Sequence, residues 1–418
     1  MSPRTRPSRR VVSVSSVSSV WSVVRCAVSV CSVIGLAAAN PAFAQPAQSK
    51  VYTIQSKVLG EERRIRVALP ANYSLAKQRY PVVYLLDGHV KAFYDITVGA
   101  VSYDLLGDIR DFAIPAQIVV AVEHKNRGDD LGRNADTFMK FMTTELAPYI
   151  EKQFRALPYR LLVGHSLGGR FALMASCRAP GFFPSVVAVS PGGGDSTSFR
   201  TMTDCLKSDW RAAQGTLRQV FVSSGEREAG IDAGAKRLRA FLRDSAPANV
   251  RWQYLDGPGL AHTETPYFGI PAGIKFIWDR GVWEMPAAKA DSIINALGDA
   301  DALLARWYDD LGARMGAAVP VSAKWLELAS AAAERQGNRD AAERSARRLV
   351  SEYPEYLSGY GRFTDVLVAK RDYAAARKVL EEAIRVCDKL DFFDETERAM
   401  KKKVLTDGLA RFAAKDGQ

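Results

Sequence analysis

One short run, Gly164-His165-Ser166-Leu167-Gly168, has the residue types and spacing for nucleophilic catalysis. Arg160-Leu161-Leu162-Val163 reads as a buried strand leading into it, and Gly169-Arg170-Phe171-Ala172-Leu173-Met174 opens a helix directly after. So sharp a strand-to-helix turn forces the serine into strained backbone angles, and glycines two residues away on either side remove side chains that would clash. The hydroxyl then stands exposed at a helix N-terminus, where developing negative charge is stabilised.

A serine hydroxyl needs a base to take its proton, most often histidine. The chain has four histidines, His89, His124, His165 and His262. In a strand–elbow–helix hydrolase the order is serine, acid, histidine, and only His262 lies beyond Ser166. The acid is expected on the loop after Val220-Phe221-Val222-Ser223-Ser224, which reads Gly225-Glu226-Arg227-Glu228. Glu228 is far enough past the strand to turn toward the histidine; Glu226 competes, and a Ser–His dyad without an acid stays open. Two backbone N–H groups must face the developing oxyanion. Leu167, the residue after the nucleophile, supplies one. His89 supplies the other, from the turn Asp87-Gly88-His89 that follows Tyr84-Leu85-Leu86. As a metal ligand His89 has no partner nearby in sequence. CxxC, HExxH and Cys/His clusters are missing, so neither a metal nor another cofactor is expected.

These residues need a scaffold. Residues 51–55 and 65–69 alternate like an antiparallel pair with a turn at Gly60 and Glu61. The later apolar runs, 82–86, 118–122, 161–163, 186–189, 220–223 and 251–255, are continuous, as strands buried on both faces are. Helical patterns such as 138–152 and 170–177 separate them, which implies an α/β fold with a mostly parallel sheet. From Ala287 onward only helical spacing remains. Gly337-Asn338-Arg339-Asp340-Ala341-Ala342 returns as Arg371-Asp372-Tyr373-Ala374-Ala375-Ala376, 34 residues on, the period of a tetratricopeptide repeat. Residues 324–390 thus resemble a short tetratricopeptide array. Two units are too few to stand alone, so flanking helices or the preceding domain must cover them. The expected division is 1–44, an export signal; 45–285, the α/β domain; and 286–418, an all-α tetratricopeptide-like domain. The last is expected to govern substrate access or partner binding, not bond cleavage.

The export signal rests on Arg4, Arg6, Arg9 and Arg10, a Val/Ser/Ala run to Ala39, and Ala42-Phe43-Ala44 as a cleavage site. Cleavage after Ala44 makes the product periplasmic or secreted, with no stable membrane span; Ser8-Arg9-Arg10 leaves the twin-arginine route open beside the general one. The net charge of +11 includes five arginines in this segment, and 52 bases against 46 acids remain after it. So mild an excess gives no case for nucleic acid as a partner. Cys177, Cys205 and Cys387 stay in the mature chain; they read first as buried small apolar residues, with a Cys177–Cys205 pair left open.

Tyr80-Pro81-Val82-Val83-Tyr84-Leu85-Leu86-Asp87-Gly88, Gly164-His165-Ser166-Leu167-Gly168-Gly169 and Val189-Ser190-Pro191 resemble the putative-esterase family of α/β-hydrolases over residues 51–283. That family includes esterase D, enterochelin esterases and feruloyl esterases. The resemblance implies an α/β-hydrolase fold, Ser166 as nucleophile, His262 as base, an acid on the Glu226–Glu228 loop, and oxyanion donors at His89 and Leu167. It implies a small-molecule carboxylic ester, a siderophore ester among the options, as substrate. Arg127, Arg133 and Arg170 are the candidates for the basic side chains that a catechol-siderophore pocket would carry. An acyltransferase with the same residues, or a scaffold working through its helical repeats, by self-association or with a protein partner, are the alternatives. Two departures stand out: Gly192-Gly193-Gly194-Asp195 where relatives often carry aromatics, and the helical C-terminal region.

Overall fold

Five runs rich in valine, isoleucine and leucine become the centre of one sheet, and the sixth, residues 251–255, becomes a part-exposed edge strand. In the computed structural model, which describes residues 49–102, 114–193, 195–213, 215–279, 282–283, 285–294, 300–390 and 393–413, the sheet has eight strands. The export signal expected over residues 1–44, and Gly194, lie outside the described residues.

The strands are β1 (Ser49–Ser56), β2 (Glu61–Ala68), β3 (Tyr80–Leu85), β4 (Ile118–Val122), β5 (Ala156–His165), β6 (Ser185–Val189), β7 (Arg218–Gly225) and β8 (Val250–Gly257). Their spatial order is β1-β2-β4-β3-β5-β6-β7-β8. β1 and β2 form the expected hairpin, β2 runs antiparallel to β4, and every later pairing is parallel. Alternate residues serve opposite faces. Val83, Leu85, Leu161, Val163, Val187 and Val189 pack under α1 (Lys91–Ser102) and α7 (Thr265–Ile277). Val82, Tyr84, Leu162, Val186, Ala188 and Val222 pack under α2 (Ala135–Phe141), α3 (Ala147–Gln153), α4 (Leu167–Arg178), α5 (Ser196–Ala212) and α6 (Ala229–Ser245). Burial on both faces is why the strands carry no polar alternation.

The single helix expected over 138–152 is instead α2 and α3 joined by a π-helical turn, Met142–Leu146. Thr143 and Thr144 hydroxyls donate back to the Met139 and Lys140 carbonyls at 3.0 and 2.8 Å, and Pro148 in the next turn has no N–H to give. Both effects loosen the regular ladder. Cys177 and Cys205 form a disulfide joining α4 to α5, with α-carbons 4.9 Å apart. Reading them as unpaired buried residues is therefore corrected; Cys387 alone is a free, buried thiol among the described residues.

Seven helices follow: α8 (Ala287–Ile294), α9 (Ala300–Met315), α10 (Ala323–Arg335), α11 (Arg339–Glu352), α12 (Leu357–Ala369), α13 (Tyr373–Cys387) and α14 (Glu395–Ala413). α10/α11 and α12/α13 are two helix–turn–helix units. Asn338 and Asp372, 34 residues apart, cap α11 and α13 alike by accepting the N–H of Ala341 and Ala375, each at 3.0 Å.

The helical region rests on the amino-terminal edge of the parallel strands. Leu217, just before β7, donates its N–H to the Arg314 carbonyl at 2.9 Å. Gln78, just before β3, donates to Glu355 at 2.9 Å. Trp278 and Trp283 pack at a tilt against Tyr159 near the start of β5. One continuous apolar core runs from Phe221 and Ile274 through Trp283, Met285 and Leu304 to Trp325. The change at residue 286 is thus a change of secondary structure within continuous packing. Among the described residues no helix is long and apolar enough to cross a membrane.

Candidate active site

The parallel strands end, at the opposite edge, in the loops that carry the expected chemistry. Ser166 sits between β5 and α4 at φ 57° and ψ −120°, a backbone region that side chains rarely occupy. Its amide donates to the Val189 carbonyl at 2.9 Å, and its carbonyl accepts from Arg170 at 3.0 Å. The turn is too tight for any residue but glycine at 164. A Cβ there would lie 2.3 Å from backbone atoms of Gly168.

His262 follows β8, and its Nδ1 makes a close hydrogen bond to Glu228 Oε1. Glu228 stands at the N-terminus of α6 with its side chain 1% exposed. The second carboxylate oxygen accepts from the Gly225 amide at 2.6 Å and the Ser190 hydroxyl at 2.8 Å. Thr265 Oγ1 lies 2.7 Å from Ser190 Oγ and 3.0 Å from the His262 carbonyl oxygen, to which it donates. The carboxylate is therefore aimed from three sides, and it accepts the imidazole N–H that leaves Nε2 as the basic nitrogen. Glu226 points elsewhere: it is exposed and accepts the Gly259 amide at 2.8 Å.

Asp87, with φ 59°, opens the turn after β3 that carries His89. Gly88 donates its N–H to Val122 at 2.8 Å, while the His89 N–H has no acceptor among the described residues. Leu167 is the first residue of α4, so no carbonyl one turn earlier in that helix takes its N–H. Both expected donors are thus unengaged amides on the two loops that flank Ser166.

His165 lies beneath His262. Burial, with His262 beside it, pushes its imidazole down to about 4, so it stays neutral. An open cleft of about 560 Å³, lined by Asp195, Glu228, Ile231, Arg237 and His262, leads to this edge. Asp195 also caps α5, accepting the Ser198 N–H at 2.8 Å. Arg127 is committed to Asp87, and Arg133 pairs with Asp129 on the surface. Arg170, whose side chain passes beside Gly193, has no ion-pair partner among the described residues.

Sequence reasoning did not single out Ser190 and Thr265 as supports of the acid, nor Asp87 and Arg127 as a pair. Ser190-Pro191 was a motif without a role. Its signal was a serine directly after a buried strand, which here takes φ 46° while fully buried.

A mostly parallel, helix-covered sheet with a strained serine at a strand–helix elbow defines the α/β-hydrolase fold. Residues 56–259, just under half of the chain, match the family described as Putative esterase. The structure is similar to that of an IroE-like serine hydrolase from Shewanella oneidensis, with TM-score 0.53 and 22% identity over 73% of this chain and 100% of that one. It is also similar to an uncharacterised protein from Capnocytophaga ochracea, with TM-score 0.55 and 16% identity over 88% of this chain and 100% of that one. Identities this low speak for the fold alone; the second span takes in much of the helical region. No curated protein matches the chain.

Proposed function

We propose that the protein is an exported serine hydrolase that cleaves a carboxylic ester through Ser166, His262 and Glu228. The observation that carries this reading is the His262–Glu228 contact, with a carboxylate buried and oriented by Gly225 and Ser190. In the first step Ser166 Oγ attacks the ester carbonyl while His262 Nε2 takes its proton. Glu228 accepts the Nδ1–H and balances the imidazolium's charge. The oxyanion of the tetrahedral intermediate is held by the Leu167 and His89 N–H groups. His262 returns the proton to the leaving alcohol, giving an acyl-serine. Water then attacks, again with His262 as base, and the acid leaves as Ser166 recovers its proton.

The exposure of His262 favours hydrolysis over transfer to another acceptor. Its side chain is 37% exposed on an open cleft, so water reaches the base. Among the described residues the helical region does not line this cleft; it covers the far edge of the sheet, consistent with a tetratricopeptide-like array serving a partner protein or a second copy. Export rests on the N-terminal sequence, and the disulfide suits an oxidising compartment. The test is labelling by a fluorophosphonate, followed by a screen of aryl, sugar and siderophore esters. Labelling of the wild type that is absent in Ser166→Ala is the expected result. A protein that neither labels nor hydrolyses any ester is no serine esterase.

A further inference from the structure

We propose that Arg127 is a positioning residue that ties the two halves of the oxyanion hole together. The inference rests on the reading above, in which His89 and Leu167 donate to the oxyanion. Those amides belong to different loops, one after β3 and one after β5. The paired strands are joined as far as Leu86, whose N–H donates to the Val163 carbonyl at 2.9 Å, three residues short of His89. Past that bond Arg127 is the side chain that spans both loops. Its Nε donates to Asp87 Oδ1 at 2.6 Å and its Nη2 to Asp87 Oδ2 at 3.0 Å. The same Nη2 donates to the carbonyl of His165, the residue before the nucleophile, at 3.0 Å.

The surroundings leave the task to this side chain. On its far side the Asp87 turn is already pressed against β4: a Cβ on Gly88 would lie 2.6 Å from Ala121. The carboxylate is 2% exposed and needs a cation. His124 Nε2 is 3.8 Å from Asp87 Oδ1, too far for a hydrogen bond, and its Nδ1 is engaged 2.9 Å from Asp130, which Arg63 holds in turn. Only a planar fork with divergent N–H groups grips a carboxylate and a carbonyl at once; an ammonium is a single point. Misplacing a donor by about 1 Å, or losing it, costs a rate on the order of 10²-fold.

The experiment uses the full mature protein, with rates on an aryl acetate normalised to sites titrated by a fluorophosphonate. For Arg127→Met, kcat is expected to fall about 10²-fold with KM within about threefold. The affinity of a trifluoromethyl ketone, whose adduct places an oxyanion in the hole, should fall in the same proportion as kcat/KM. Arg127→Lys should recover only part of the rate. Guanidinium added to Arg127→Ala should restore it several-fold, since the site is 35% exposed. Wild-type kcat per titrated site in Arg127→Met, even with a lowered melting temperature, would mean a structural role only and overturn the proposal. So would a fall in kcat that leaves the ketone's affinity unchanged. If Arg127→Met does not fold, Arg127→Gln and Arg127→Lys carry the same two readings. Undiminished hydrolysis by Ser166→Ala would instead defeat the serine mechanism, and this inference with it; no outcome at Arg127 can imitate that result.

Discussion

His165 and His262 face each other across the elbow, ring centroids 4.4 Å apart and planes inclined by 38°. His165 Nε2–H donates to the His262 carbonyl at 3.0 Å, so the residue beside Ser166 holds the backbone of His262. Two imidazoliums at this distance would repel, and burial beside His262 keeps His165 neutral.

That neutrality has a consequence for acid stability. The folded imidazole sits at about 4 against 6.5 for the free group, so between those values the unfolded chain binds the extra proton. His165 therefore costs nothing above pH 6.5, and stability is lost as pH falls toward 4, by on the order of 3 kcal/mol. In urea titrations from pH 7 downward, His165→Gln should lose less stability than wild type. Parallel profiles for the two proteins would refute the assignment.

Ser166→Ala should lower kcat by about 10⁴-fold or more while the protein stays folded. For the wild type, kcat/KM should fall on the acid side, because a base must be free to take the Ser166 proton. A flat profile down to about pH 4.5 with intact folding would rule out a histidine base.

The two glutamates of one loop should separate cleanly. Glu228→Gln is expected to reduce kcat by about 10³- to 10⁴-fold, because the amide cannot balance an imidazolium. Ser190→Ala removes one of the two other bonds to that carboxylate and should cost about tenfold. Glu226→Gln should stay within about twofold. Equal losses at both glutamates would contradict this geometry.

Leu304 is fully buried in the core shared by the sheet and the helical region. Leu304→Ala should destabilise by about 2–5 kcal/mol and leave kcat per titrated site unchanged. Because the core is continuous, a chain cut after Met285 exposes Trp278 and Trp283 and should fold poorly. A large drop in kcat for a folded, fully titrated Leu304→Ala would place the tail in the chemistry after all.

Cleavage after Ala44 should give a periplasmic or secreted protein beginning at Gln45. Its intact mass should be two hydrogens short, and replacing both Cys177 and Cys205 by alanine should cost about 3.5 kcal/mol for a loop of 28 residues. A full-length cytoplasmic protein with free thiols would defeat both expectations.

Residue order alone set the local elements and the turn that carries Ser166. Gly164 to Gly169 between a buried strand and a helix can make little but an elbow, because only glycine fits where a Cβ would strike Gly168. Unbroken apolar runs at 82–86 and 118–122 meant strands covered on both faces, and the 34-residue recurrence located two helix pairs. Glu226 and Glu228 could not be told apart that way. The choice depends on Ser190, which β6 brings beside β7, and on the backbone of Gly225. Arg127 on Asp87, and the tail's seat at the amino-terminal edge, were equally hidden. Periodicity reports which face of an element is buried, a short-range property of each segment. Which loops meet at one edge is set by strand order and by packing between residues tens to hundreds of positions apart, and only the assembled sheet fixes those.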